Sequence, residues 1–377
     1  MGRMIRTLYA LAVVCVWAFL PSSAGGGLSS ARAQATGYAV HKPVLGGACT
    51  VCPWGALGVI AKEAVAPFGW DVQVCYNCAG SAQEVRYVES KSLPPAYNPS
   101  GLTALGVPAN LVQVVEPPPP NGPVDFGVTT PNFLWWGYQG IHDFAGEGPK
   151  KDLRVVATIM SPTYYVIAAT VQSGITDLSQ VKGKPIRLLW DRGLLGTQVD
   201  TILAYYGLSQ ASIVAAGGTV NFPIAPALQS QPFDVLIYQG DLSGAPEYDA
   251  LYRISQLFDL NYIQLPDALL DQLVKDWDFV RADIPPGYLR GVWTPIHTVA
   301  YLGNTVYGRT DMPDSFAYAL AKALDERKDL LSFAYEHFAY DPKQVWKAYG
   351  VPLHPGAARY YREKGYIKDD TERERDR

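Results

Sequence analysis

Short apolar segments alternate with amphipathic ones along this chain, and this alternation constrains the fold more than any other feature. The runs 38–44 and 70–75 have the composition of strands, whereas 55–66 and 81–90 carry apolar residues at helical spacing. In the second helix, Glu84 and Arg86 are expected on the solvent side. The order strand, helix, strand, helix predicts parallel strands joined by right-handed crossovers.

The same order recurs in the second half of the chain. Predicted strands lie at 124–129, 153–160, 164–170, 185–190, 233–239 and 294–306, and predicted helices begin at Pro131, Gly196 and Asp314. The neighbouring segments 153–160 and 164–170 are expected to carry the chain from one lobe to the other, and 294–306 to bring it back. We therefore predict a two-lobed α/β fold of the type II-like periplasmic-binding-protein kind, with a ligand cleft between the lobes and two hinge-crossing strands.

The N-terminal segment predicts a secreted protein. Residues 1–35 contain Arg3 and Arg6, then an apolar run of about 13 residues and a small-x-small cleavage site, which is the layout of a signal peptide. A transmembrane helix needs roughly 20 apolar residues, so we expect cleavage and a periplasmic location. Lobe 1 is expected to span 36–160 with a proline-rich insertion at 92–123, and lobe 2 to span 161–295. Residues 296–377 are expected to form a return strand and C-terminal helices that pack on lobe 1.

Four of the five cysteines form two CxxC pairs, Cys49 with Cys52 and Cys75 with Cys78. An even set of cysteines in an oxidising compartment predicts disulfides. Two pairings remain open: bridges between the two loops, and one local bridge within each CxxC pair. Bridges between the loops are possible because parallel strands about 4.7–4.9 Å apart satisfy the Cα separation that a disulfide requires. The alternative is a metal-binding or thiol-redox periplasmic protein with these four sulfurs as its centre.

The C-terminal run 352–365, PLHPGAARYYREKG, is the most specific motif of the chain. Further motifs precede it in a fixed order: DFGV at 125–128, WWGYQG at 135–140, SGI to VKGK at 173–184, and LGT to YYGL at 195–208. Together they resemble the TAXI-type (TRAP-associated extracytoplasmic immunogenic protein) solute-binding proteins of TRAP transporters. The similarity covers about 38–366, apart from the proline-rich segment.

This resemblance implies a soluble receptor that closes over a small anionic solute and delivers it to the membrane permease subunits of a TRAP transporter. Family members are associated with glutamate and related organic acids. We expect a monomer without cofactor or metal, and no basic block points to a nucleic-acid partner. The expected ligand loops nevertheless depart from the family, because 49–54 lacks its Tyr-Tyr-Pro and 130–132 is Thr-Pro-Asn in place of Gln-Ser-Asp. Glutamate specificity therefore does not carry over.

Candidate ligand-binding residues lie at the predicted strand ends. Arg192 is expected to bind a carboxylate beside the amides of Gly196 and Thr197, unless it is a solvated arginine paired with Asp191. The smaller candidates, several of which are also common helix caps, are Thr50, Cys52, Ser81, Thr129, Thr130, Asn132 and Gln239. The aromatic candidates for the cleft wall, any of which could instead be core, are Trp54, Tyr164, Trp190 and Tyr238. Of these, Trp54 and Trp190 are favoured because both are predicted to lie in loops.

No catalytic motif occurs in the chain, which contains no HExxH, no GxSxG and no phosphate-binding loop. An enzyme on the related pyrimidine-synthase scaffold is a third interpretation, but the five histidines are scattered and form no catalytic cluster. His354 is expected to make only a local cap or hydrogen bond. We therefore expect a binding protein and not an enzyme.

Overall fold

The structure, a computed structural model, describes residues 42–48, 53–76, 81–92, 120, 122–159, 162–191, 195–223, 231–240, 249–334 and 339–367. All of them belong to one compact unit, His41–Arg377. The strands are β1 Val44–Gly46, β2 Gln73–Val74, β3 Phe126–Thr129, β4 Leu153–Ile159, β5 Thr163–Thr170, β6 Arg187–Trp190, β7 Thr219–Asn221, β8 Val235–Gly240, β9 Leu260–Tyr262, β10 Val280–Ile284, β11 Ile296–Tyr301 and β12 Asn304–Arg309. The α-helices are α1 Pro53–Val65, α2 Ser81–Ser90, α3 Pro131–Gln139, α4 Gly196–Tyr205, α5 Gln210–Ala215, α6 Asp249–Leu257, α7 Asp267–Trp277, α8 Asp314–Glu326 and α9 Pro355–Glu363.

The first sheet takes its strands from both ends of the described chain, in the order β2-β1-β3-β12-β4. Strand β1 pairs in parallel with β2 and β3, and β12 lies antiparallel between β3 and β4. Helix α1 packs against α8, and α2 packs against β3 and α3. Buried side chains such as Leu57, Val85 and Phe316 join these elements in one core, as expected for helices that bury one apolar stripe against a sheet.

The second sheet comes from one continuous stretch, β5 to β11, in the order β10-β11-β5-β8-β6-β7, with β9 added beside β5. Strands β6, β7 and β8 are parallel, and β5 runs antiparallel to β8. Apolar residues cover both faces of this sheet, with Ile202 and Leu273 in one core and Leu236 and Ile254 in the other. Burial on both faces explains why the central strands β5, β6 and β8 are nearly continuous apolar runs, whereas the edge strands β7 and β10 are more polar and exposed.

The chain crosses between the sheets twice, from β4 to β5 and from β11 to β12. Ile159 at the end of β4 pairs with Asn304 at the start of β12, and Thr163 at the start of β5 pairs with Tyr301 at the end of β11. The two crossings therefore run side by side. This arrangement confirms the predicted two-lobed α/β periplasmic-binding-protein fold and the outward crossing by two adjacent strands.

Three strand predictions need correction. Residues 38–41 of the strand predicted at 38–44 lie outside the described residues. Lys42 and Pro43 are not in a strand, since Pro43 has no amide hydrogen to donate to a sheet, and β1 continues beyond the prediction to Gly46. The strand predicted at 70–75 is reduced to Gln73–Val74. The return strand predicted at 294–306 is two strands, because Gly303 adopts φ +80° and ends the extended run between β11 and β12.

The predicted helix at 81–90 has the observed bounds of α2, but the predicted solvent exposure of Glu84 is wrong. Glu84 is fully buried with Ala82, Val85 and Val88, whereas Arg86 lies at the surface and pairs with Glu147. Gly127 in β3 makes room for the glutamate, since a Cβ atom at Gly127 would lie 1.5 Å from Glu84 Oε1. The glycine that admits this carboxyl group is 43 residues further along the chain.

The C-terminal segment packs back onto the first sheet. The amide of Thr158 donates to Val345 O at 2.6 Å, and the amide of Val155 donates to Pro352 O at 2.9 Å, so this segment lies along β4. His354 caps α9 as predicted, because its Nδ1 accepts a hydrogen bond from the Gly356 amide at 3.2 Å. None of the helices in the described ranges is long and apolar enough to cross a lipid bilayer.

Candidate functional site

Three helices of the first lobe begin at one edge of its sheet. Strands β1, β2 and β3 are parallel, and they are followed by α1, α2 and α3, which begin at Pro53, Ser81 and Pro131. Strand β12 starts at the same edge, since Thr305 pairs antiparallel with Thr129. Open α/β sheets bind polar ligands at this edge, where helix N-termini leave amide groups without intrahelical partners.

In the second sheet, too, parallel strands end and a helix begins at one edge. Strands β6 and β8 end at Trp190 and Gly240, and α4 begins at Gly196. Tyr164 in β5 pairs with Gly240, and Tyr301 closes β11 beside Thr163. Both crossings run through this edge, so the carboxyl ends of the parallel strands in the two lobes lie next to each other.

Asn132 is a buried residue of the first lobe whose hydrogen bonding is incomplete near this meeting point. It lies in the first turn of α3, is fully buried, and accepts a hydrogen bond at Oδ1 from Thr130 Oγ1. Its Nδ2 has no well-aligned hydrogen-bond acceptor among the described residues, although it lies close enough to the Tyr301 hydroxyl to lower the pKa of that group. A buried donor without an acceptor costs about 1–3 kcal/mol, so an acceptor supplied from outside the chain would be stabilised there.

Trp54 and Asn304 connect the first turn of α1 to the return crossing. The indole Nε1 of Trp54 donates to Asn304 Oδ1 at 2.6 Å, and Asn304 is buried. Thr129 is also buried, and its hydroxyl lies 3.5 Å from Ser81 O at the start of α2. These contacts hold the starts of three elements in place around the strand ends of the first sheet.

A hydrogen-bonded group from the second lobe faces Asn132. The hydroxyls of Tyr165 and Tyr301 lie 3.0 Å apart, and Gln198 Nε2 donates to the Tyr301 oxygen at 3.1 Å. Tyr165 also donates to Gln198 Oε1, and Asn132 is among the groups that act on the Tyr301 hydroxyl. Burial raises the pKa of Tyr301 to about 12, although the hydrogen-bonding side chains of Tyr165, Gln198 and Asn132 lower it in part. Both lobes therefore meet through neutral hydroxyl and amide groups that keep their protons at neutral pH.

The aromatic wall candidates divide between the core and the meeting edge. The expectation that Trp54 and Trp190 lie in loops is wrong, since Trp54 is in α1 and Trp190 ends β6. Trp190 belongs to the core, stacks on Phe222 with ring centroids 4.9 Å apart, and donates to Gln210 Oε1 at 3.2 Å. Tyr238 is fully buried in the core on the other face of the same sheet, whereas Tyr164 is half-buried at the start of β5.

Several smaller candidates lie where the sequence predicts. Ser81 begins α2 with φ +61°, a left-handed conformation that is uncommon for serine. Gly196 is half-buried and Thr197 exposed in the first turn of α4. Gln239 lies near the end of β8, and its Oε1 is buried without a hydrogen-bond partner in the described part of the chain. Gln239 thus offers an acceptor on the second lobe, complementary to the donor of Asn132 on the first.

Thr50, Cys49, Cys52, Cys78 and Arg192 lie outside the described residues, so their predicted roles stay predictions. Cys75 follows β2, is fully buried and is disulfide-bonded. A sulfur in a disulfide is not a thiolate, which is the form that binds a metal ion. The alternative of a centre built from four thiolates is therefore not favoured.

Sequence inspection missed Tyr165, Gln198, Tyr301 and Asn304. Gln198 had a local signal, because it is the third residue of α4 and its Oε1 accepts from the Leu195 amide at 3.3 Å, as N3 glutamines commonly do. Tyr301 and Tyr165 are 136 residues apart and meet only because β11 pairs with β5. No pattern along the chain predicts that pairing.

Comparison with known proteins identifies one family model, described as the NMT1-like family, which matches residues 116–365. The chain is also similar to solved structures of binding proteins. MatC from Rhodopseudomonas palustris with bound malate is 10% identical with a TM-score of 0.43, and the match covers 80% of this chain and 90% of MatC. The arginine-, lysine- and histidine-binding protein ArtJ from Geobacillus stearothermophilus is 13% identical with a TM-score of 0.37, covering 80% of this chain and 97% of ArtJ.

Proposed function

This chain belongs to the NMT1-like family, and from that premise we propose that it is a solute-binding protein of a membrane transporter. It captures a small solute between its two lobes and passes it to a membrane permease. The observation that carries the proposal is the unsatisfied Nδ2 of buried Asn132, which lies where both crossings bring the strand ends of the two lobes together.

The proposed solute is a small organic anion of the carboxylate or amino-acid class. Helices α1, α2, α3 and α4 all begin at the meeting edges, and helix N-termini favour negative charge. Arg192, which lies between β6 and α4 in the sequence, would add a guanidinium for bidentate binding of a carboxylate. The Nδ2 of Asn132 would donate to a ligand oxygen, and the Oε1 of Gln239 would accept from a ligand donor.

The proposed setting is the periplasm, with a permease of the TRAP type as partner. The signal-like segment 1–35 and the motifs shared with TAXI-type proteins support this assignment. We propose no catalysis and no cofactor, since a closing cleft needs only contacts that the open form lacks. Disulfide bonding of Cys75 fits an oxidising compartment.

A thermal-shift screen of the mature chain tests this function. Amino acids, dicarboxylates and other organic acids should be screened beside neutral sugars and polyamines, which are not expected to bind. A solute at 100 times its Kd should stabilise the protein by about 2.7 kcal/mol. The Asn132→Asp variant keeps the side-chain shape but replaces the Nδ2 donor with an acceptor, so the same acid should then give little or no shift.

The screen has two outcomes that contradict the proposal. If no acid or amino acid stabilises the protein while a neutral or cationic solute does, the anionic class is wrong. If an acid stabilises the wild type and Asn132→Asp equally, binding occurs but not at the meeting edge. Asn261 in β9 is half-buried and pairs with Ala169 at the far end of β5, remote from that edge, so Asn261→Asp serves as the control for a general effect of added charge.

A further inference from the structure

Five residues from three parts of the chain form one cluster on the side of α3 and α7. Trp136 in α3 and His142 just after it belong to the first lobe, and Trp277 and Asp278 at the end of α7 belong to the second. Tyr349 comes from the C-terminal segment that lies along β4. We call this cluster the clasp, because its members come from both lobes and from the segment that returns to the first.

Asp278 is the polar centre of the clasp. Its Oδ2 accepts a hydrogen bond from the indole Nε1 of Trp136 at 2.6 Å and lies 3.9 Å from Nε2 of His142. Trp136 is fully buried, so its indole hydrogen needs an acceptor inside the protein. That acceptor is supplied by the opposite lobe.

Aromatic rings close the clasp around this carboxylate. The His142 ring stacks on Trp277 with centroids 5.2 Å apart and lies 4.4 Å from the Trp136 ring. Trp136 and Trp277 are 6.0 Å apart, and Trp277 packs against the cores of both lobes. Aromatic contact between the lobes therefore covers one side of the hydrogen bond, and the Asp278 carboxylate stays half-buried.

Backbone strain is concentrated in the clasp. His142, Asp278 and Tyr349 have φ values of +48°, +54° and +47°, and they are three of the five non-glycine residues with positive φ in the described ranges. Such conformations persist only where the surrounding structure holds them, and they concentrate at sites with a function. At Asp278 the left-handed conformation also ends α7, so the same residue terminates the helix and presents its carboxylate to Trp136.

The clasp also adjoins the return crossing. Burial raises the pKa of Tyr349, and the nearby Asp278 and Tyr301 raise it further, whereas the backbone of Leu302 acts in the opposite direction. Leu302 stands between β11 and β12, where the chain passes from the second lobe to the first. A change in the angle between the lobes would therefore alter the contacts of Tyr349 and Asp278 together.

We propose that Asp278 is a positioning residue which, through Trp136, holds the two lobes of the ligand-free protein in the orientation described here. This inference goes beyond the proposed function, because it concerns the protein without solute and does not depend on what the cleft binds. Loss of the clasp would free the lobes to rotate about the paired crossings. The clasp thereby sets how far the protein opens before it meets a solute.

Indole NMR of the ¹⁵N-labelled mature chain tests the bond itself. The Trp136→Phe variant assigns the Trp136 indole signal. In Asp278→Gly, where glycine tolerates the left-handed conformation, we expect hydrogen exchange of that indole to accelerate by about tenfold, the factor that corresponds to about 1.4 kcal/mol. Lys91→Gly is the matched control, since Lys91 is exposed, has φ +51° and lies outside the clasp.

Small-angle X-ray scattering of the same ligand-free samples tests the effect on the lobes. We expect a larger radius of gyration for Asp278→Gly and no change for Lys91→Gly. If the radius of gyration is unchanged while indole exchange is faster, the hydrogen bond exists but does not hold the lobes. If indole exchange is unchanged, the hydrogen bond is not formed. Either result overturns the proposal. Should Asp278→Gly not fold, Asp278→Asn keeps an acceptor and the backbone preference, and an intermediate exchange rate is then expected.

Discussion

Glu84 provides the sharpest test of the energetics of this fold. The side chain is fully buried between α2 and the first sheet, and neither carboxyl oxygen has a hydrogen-bond partner in the described structure. Burial therefore raises the pKa of Glu84 well above its ordinary value, although the nearby Tyr307 hydroxyl and Val128 backbone act in the opposite direction. Tyr307 is buried as well, and burial and the adjacent glutamate raise its pKa. Glu84 is thus a neutral acid in the folded protein at pH values between its ordinary pKa and the raised one.

The sign of the pH dependence follows from proton binding. In the unfolded chain the carboxyl group loses its proton near its ordinary pKa of about 4.3, but in the folded protein it keeps the proton to higher pH. Between the two pKa values the folded state binds one more proton, so stability falls as pH rises, by about 1.4 kcal/mol per pH unit. The fall begins near pH 4.3 and ends at the raised pKa of the folded state.

The Glu84→Gln variant removes this titration while keeping the shape of the side chain. We expect wild type and variant to differ by no more than about 1 kcal/mol at pH 4, since both then bury a neutral polar group. At higher pH the variant should become the more stable, by about 1.4 kcal/mol for each pH unit up to the raised pKa. Urea unfolding followed by circular dichroism at pH 4, 5, 6 and 7, without a reducing agent, measures the free energy of unfolding of both proteins.

Glu63→Gln is the matched control, because Glu63 lies exposed on α1 and undergoes the same chemical change. Its stability curve should run parallel to that of the wild type. If the Glu84→Gln and wild-type curves also run parallel from pH 4 to 7, Glu84 titrates alike in both states, and the inferred burial of a neutral acid is refuted.

Two further predictions concern other buried groups. Burial lowers the pKa of His354, so below pH about 6.5 the unfolded chain binds more protons than the folded protein and stability should fall as the pH drops. The His354→Asn variant can still cap α9 but does not titrate in this range. Melting curves between pH 5 and 7.5 should therefore show a smaller fall for the variant. Gly127→Ala should lower the free energy of unfolding by about 1–3 kcal/mol or more, because the added Cβ would overlap Glu84 Oε1. Combining it with Glu84→Ala removes the overlapping atoms, so a double-mutant cycle should recover most of that loss.

The sequence predicts individual elements of this fold better than it predicts their surroundings. The bounds of α2 follow from local periodicity, yet the exposure of Glu84 does not, because the space for its carboxyl group is made by Gly127 in another strand. Trp190 closes the predicted strand 185–190, yet it is also favoured as a loop residue of the cleft wall; its pairing with Ile237 in β8 places it in β6.

The candidate site shows the same division. Asn132 and Gln239 could be proposed from their positions at predicted strand ends, because parallel strands place those ends at one edge. Tyr301 could not, since it reaches the site only through the pairing of β11 with β5. Asp278 lacks a local signal for its role too, because the partner that makes it a positioning residue is Trp136, 142 residues earlier in the chain.

The strand order of the first sheet has a consequence for how the protein folds. Strand β12 lies between β3 and β4, so these two strands do not pair with each other. Both pair with β12, which follows the whole second lobe in the chain. The second sheet, by contrast, is complete within residues 163–301. The first lobe is therefore dominated by contacts between residues far apart in sequence, which slow folding, and the second lobe is the one that can form first. A chain that reaches an oxidising compartment unfolded would thus carry β1 to β4 with exposed edges until its last quarter arrives.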